Sequence, residues 1–147
     1  MNPRTALIAL LALAVLAGAG HAIAAGGKAP KPRVAVVTKT QVEALRGPAI
    51  VARVRVGSPT RVRVGGKLVL RGSDTVRSKL ATKKVRFKRA GKRRVRFRLG
   101  PRKVEMLAVA IEACARVRVV LKARSARGGD TARLRRAAPL RRHPSCG

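Results

Sequence analysis

The sequence predicts an all-β fold, an antiparallel sandwich of six or seven short strands with one short helix. Apolar and cationic residues alternate with period two over most of the chain after Gly47-Pro48, and turn signals interrupt the alternation at short intervals. One stretch, opened by Pro101, breaks the pattern in favour of a helix. The 147 residues leave room for one domain. Small aliphatic side chains must fill its core, because 46% of residues are hydrophobic while Phe87 and Phe97 are the only aromatic ones.

Taken in order, residues 25–48 begin with Gly, Ala, Lys and Pro and read as a flexible leader, with a first edge strand available at residues 33–37. The sandwich is expected over residues 49–140. Ile50, Ala52, Val54 and Val56 alternate with Val51, Arg53 and Arg55, and Val62, Val64, Leu68 and Leu70 alternate with Arg61, Arg63, Lys67 and Arg71. Gly65-Gly66 either turns a hairpin or marks a bulge in one long strand, and parity does not decide between them. Residues 83–99 read as a hairpin. Turning Val85, Phe87, Val95 and Phe97 to the same side requires a loop with an odd number of residues, met by Arg89-Ala90-Gly91 with a left-handed Gly91. A short helix follows at residues 101–108, packing Met106 and Leu107. Val117, Val119 and Leu121 then form a strand, Gly128-Gly129-Asp130 turns the chain, and Ala132 and Leu134 lie in the last strand. Residues 141–147 are expected as a basic C-terminal tail.

The first 24 residues carry Arg4, an apolar run over residues 6–17, small residues to Gly20, and Ala22-Ile23-Ala24. This is the pattern of a secretory signal peptide cut after Ala24. A membrane-spanning helix needs about 20 apolar residues, more than this run supplies. No other long apolar stretch follows, so the mature chain is expected without an integral membrane span, secreted or associated with the cell surface. In an oxidising compartment Cys114 and Cys146 could join and tie the tail to a strand start. The spacing leaves that bond and a buried Cys114 with a free or intermolecular Cys146 equally open.

The strand Val95-Arg96-Phe97-Arg98-Leu99, the helix after Pro101, the strand of Val117-Arg118-Val119 type, the Gly129-Asp130 turn and a last strand closing near Leu140 together resemble the exported Ig-like β-sandwich repeat domains of high-GC bacteria. The resemblance covers residues 50–140 and implies an Ig-like sandwich acting as a structural or adhesive module. Where such repeats often carry Asp before the Gly turn, this chain has Ser125.

Side-chain chemistry is sparse. The acids Glu43, Asp74, Glu105, Glu112 and Asp130 form no dyad spacing, His143 sits in an arginine-rich tail, and no serine lies in a nucleophile elbow. A zinc site lacks ligands beyond the cysteines and His143. The expectation is a non-enzyme without cofactor or metal. Charge is the dominant feature, with 36 Lys+Arg against 5 Asp+Glu and a net charge of +31. Residues 83–103 hold twelve cations and no acid. The expected hairpin would gather Lys84, Arg86, Lys88, Arg94, Arg96 and Arg98 into one anion-binding face for an anionic envelope polymer or lipid surface. DNA or RNA is the alternative partner, although base reading favours a recognition helix and single-strand binding favours exposed aromatics. A merely solvated basic surface is the third reading.

Overall fold

The computed structural model describes residues 27–147, so the expected signal peptide lies outside the described residues. Seven strands and two helices follow in the order β1 (Arg33–Val36), α1 (Gln41–Arg46), β2 (Ala49–Val56), β3 (Thr60–Arg71), β4 (Thr75–Phe87), β5 (Gly91–Arg98), α2 (Pro101–Glu112), β6 (Arg116–Arg127) and β7 (Asp130–Leu140). A single 3-10 turn, Pro144–Cys146, closes the chain. No helix among the described residues is long and apolar enough to cross a membrane.

The strands form two antiparallel sheets, β1-β2-β5 and β4-β3-β6-β7. Each strand buries its apolar side against the other sheet, as period-two patterning dictates. Ile50, Ala52, Val54, Val95 and Phe97 from the first sheet meet Val62, Val64, Leu68, Leu80, Phe87, Val117, Val119 and Leu121 from the second. The order is that of a constant-type immunoglobulin sandwich with one change: the fourth strand joins the third instead of the fifth.

That change overturns the expected hairpin at residues 83–99. β4 pairs with β3 from Arg71↔Thr75 to Thr60↔Phe87, whereas β5 pairs with β2 from Ala49↔Arg98 to Val56↔Gly91. The chain crosses between sheets at residues 88–90, and Gly91 is not among the positive-φ residues. Parity is satisfied in both arrangements, because Phe87 and Phe97 face the same core from opposite layers. The three-residue turn at Gly72-Ser73-Asp74, closed by the Gly72 N–H donating to the Asp74 carbonyl at 3.0 Å, gives β4 a nearer partner.

Gly65-Gly66 lies within one strand, beside a bulge. The register passes from Val64↔Lys83 to Gly66↔Leu80, so β4 carries one extra residue. The inward side of β4 accordingly switches from even positions (Leu80) to odd ones (Val85, Phe87). A Cβ on Gly66 would run into the Val120 carbonyl oxygen of β6, so close strand approach demands glycine here. The β6–β7 turn is the expected one: Arg127 pairs with Asp130 around Gly128 and Gly129, at φ 52 and 92.

Three segments depart from expectation. Residues 25–48 hold β1 and also α1, whose Thr40 hydroxyl accepts the Glu43 N–H at 3.0 Å while the Glu43 carboxylate accepts the Lys39 N–H at 2.8 Å. The preceding stretch is held by Ser125, fully buried on β6, whose hydroxyl donates to the Pro30 carbonyl at 2.6 Å. Helix α2 runs one turn past residue 108, because Ala110 continues the buried stripe of Leu107. It stops in a Schellman-type cap, with the Ala115 N–H on the Ala110 carbonyl and the Cys114 N–H on the Ile111 carbonyl. Cys114 occupies the left-handed position at φ 50 that glycine usually fills.

The tail is also tied down. Cys114 and Cys146 are disulfide-bonded, with Cα atoms 5.4 Å apart. The Arg141 N–H donates to the Lys39 carbonyl at 2.8 Å, and the Gln41 N–H donates to the Arg141 carbonyl at 3.0 Å. Residues 141–143 are therefore an extension of the fold and no loose appendage.

Candidate anion-binding face

A sheet strand projects alternate residues outward, so the register of the four-stranded sheet places its outward side chains in rungs. One rung reads Lys84, Arg63, Arg124, Arg133 across β4, β3, β6 and β7. Adjacent strands lie about 4.8 Å apart, so these four cations sit abreast over about 14 Å. The next rung toward the β3–β4 turn reads Thr82, Gly65, Lys122, Arg135 on either side of the bulge, and the one after it Lys79, Lys67, Val120, Ala137. No Asp or Glu occupies an outward position in any of them.

The missing side chain at Gly65 hollows this face. A Cβ there would meet the Thr82 hydroxyl at 2.9 Å, so the bulge keeps the floor low. The result is a groove of about 940 Å³ with Gly65 and Val120 on its floor and Arg63, Lys67, Arg77, Lys79, Lys122, Arg124, Arg133 and Arg135 along its walls. Val69, between Arg77 and Arg118 in the register, and Val120, between Lys67 and Ala137, point outward yet are only 6% and 4% exposed. The groove can hold an extended anionic chain by charge and by guanidinium forks.

The six cations expected to share a face do not. Lys84 and Arg86 point outward from the four-stranded sheet, the latter opposite Arg61. Lys88 sits in the crossing loop beyond β4. Arg94, Arg96 and Arg98 project from β5 on the other side of the sandwich, opposite Arg53, Val51 and Ala49. Sheets packed face to face are about 10 Å apart with outward sides directed oppositely, so no single surface joins the two halves. Arg96 is engaged as a brace, donating to the Gly47 carbonyl at 2.7 Å. Arg63, Lys122, Arg124, Arg133 and Arg135 alternate with apolar or small residues along their own strands, and only strand pairing makes them neighbours.

No family model, curated protein or solved structure matches the chain.

Proposed function

We propose that this protein is an exported, non-enzymatic sandwich domain of the Ig-like repeat type that adheres to anionic cell-envelope polymers or acidic lipid surfaces through the outer face of its four-stranded sheet. The observation that carries the reading is the rung Lys84–Arg63–Arg124–Arg133, four cations abreast with no acid on the face. Like charges opposite one another destabilise a sheet, and a bound polyanion relieves the repulsion. A disulfide is the kind of cross-link that persists outside a reducing cytosol, which supports export. Nucleic acid is less well served: the basic face presents strands and no helix, and Phe87 and Phe97 are 4% and 0% exposed, leaving no ring for base stacking.

The test is the salt dependence of binding to a sulfated or phosphodiester polymer, to vesicles rich in acidic lipid and to duplex DNA. Each neutralised charge contributes about 0.7 to 0.9 to the slope of log affinity against log salt. Changing Lys84, Arg63, Arg124 and Arg133 to Thr should flatten the slope for the envelope-type polymer by about 3. Changing Arg94, Arg96 and Arg98 should flatten it far less. Equal flattening by both sets would reduce the interaction to generic attraction, and tighter binding to DNA than to polymer or vesicle would favour the nucleic-acid reading.

A further inference from the structure

A second cationic feature lies at the far end of the same sheet. Arg71 and Arg116 are register partners on β3 and β6, and Arg118 faces Pro139 on β7. Leu140 pairs with Val117, so the residue after it, Arg141, emerges beside Arg116. With Arg142 these arginines enclose a cavity of about 280 Å³ to which no acid contributes. Pro139 offers a compact ring and no N–H where a longer side chain would fill the space.

The backbone is fixed on every side. Arg141 is clamped between Lys39 and Gln41 by its N–H and carbonyl. Arg142 reaches back so that its Nη1 donates to the Cys114 carbonyl at 3.5 Å, and the Cys114–Cys146 bond holds the chain that follows. Five arginines have thus been assembled from two strands and a tethered terminus. Arginine cannot shed its proton to relieve such crowding, whereas a bound anion would relieve it.

From this we infer a discrete oxyanion site for a phosphomonoester, formed by Arg71, Arg116, Arg118, Arg141 and Arg142 and separate from the groove. A dianionic tetrahedral group offers several oxygens to several guanidinium forks at once, which a single carboxylate does not. The cavity is smaller than the usual range for drug-sized ligands, about 300–1,000 Å³, which matches a terminal phosphate better than a large ligand. The inference does not depend on the polyanion reading, because its residues lie outside the rung tested above.

Calorimetric titration of the disulfide-bonded chain with inorganic phosphate in 0.15 M NaCl should show one saturable site. Arg116→Ala with Arg118→Ala should weaken it at least tenfold, whereas Arg63→Thr, Arg124→Thr and Arg133→Thr together should change it less than twofold. Arg118→Lys and Arg142→Lys keep the charge and the fold but lose the fork, and each should weaken binding at least threefold. Absence of saturable binding, several phosphates per chain, equal loss in the groove variant, or full affinity in both lysine variants would overturn the site. Vesicles containing phosphatidic acid, compared with equal amounts of phosphatidylglycerol, distinguish the sources. Preference for the phosphomonoester lipid assigns the site to a headgroup, and phosphate binding without that preference assigns it to the free anion.

Discussion

Replacing the rung Lys84, Arg63, Arg124 and Arg133 by Thr should stabilise the fold while it weakens polyanion binding. The rung contains three like-charged cross-strand contacts, Lys84–Arg63, Arg63–Arg124 and Arg124–Arg133. All four side chains are exposed, so solvent screening sets each contact at the low end of the cross-strand range, about 0.2–0.5 kcal/mol. Three contacts give about 0.6–1.5 kcal/mol, and threonine's preference for strands acts in the same direction. For a domain of this size that is a rise in Tm of about 2–9 °C. Urea denaturation followed by far-UV circular dichroism, at about 0.02 M and about 1 M NaCl, measures it. The screening length falls to about 3 Å at 1 M, so most of the gain should vanish there. A variant less stable than the parent at low salt, or a gain unchanged at high salt, would refute the reasoning, because the rung would then be held by packing and not opposed by charge.

The remaining predictions concern the frame that carries the face. Gly66→Ala should cost about 2–3 kcal/mol in chemical denaturation, because its Cβ meets the β6 backbone, whereas Gly57→Ala, with open space around it, should be neutral or add about 0.4–1 kcal/mol. Equal effects would argue against the close approach of β3 to β6. Cys146→Ser should cost about 2–4 kcal/mol. Cys114→Gly removes the same bond but relieves a left-handed residue, so it should cost about 1 kcal/mol less; the opposite order in urea titration would contradict the cap geometry. Ser125→Ala should cost about 1 kcal/mol and speed proteolytic cleavage before Arg33, since it releases the Pro30 carbonyl.

Much of the fold was legible because burial obeys parity. Val54, Val62, Val95, Phe97 and Val119 sit where the alternation puts them, since a strand has only two sides and an apolar residue on the wet one gains nothing. The Gly128-Gly129 turn was legible for a local reason too, as a two-residue loop at positive φ suits glycine. Helix α1 had a local signal as well: Thr40-x-x-Glu43 has the spacing of a capping box, with the Thr40 hydroxyl on the Glu43 N–H and the Glu43 carboxylate on the N–H of Lys39, one residue before the cap. The bulge was not legible. Gly65-Gly66 serves a hairpin or a continuous strand equally well, and the contact that excludes a side chain at Gly66 comes from Val120, more than fifty residues away.

The candidate site divides along the same line. That cations line one side of nearly every strand and apolar residues the other could be read from the chain alone, because it follows from a period of two and a core to be filled. Which cations meet was decided only by tertiary structure. Backbone N–H and C=O groups are chemically alike on every strand, so the ladder accepts any partner with suitable facing, and β4 went to β3 through a tight turn while β5 crossed to β2. That choice sent Arg94, Arg96 and Arg98 to one side of the molecule and brought Lys84 to Arg63, Arg124 and Arg133 on the other.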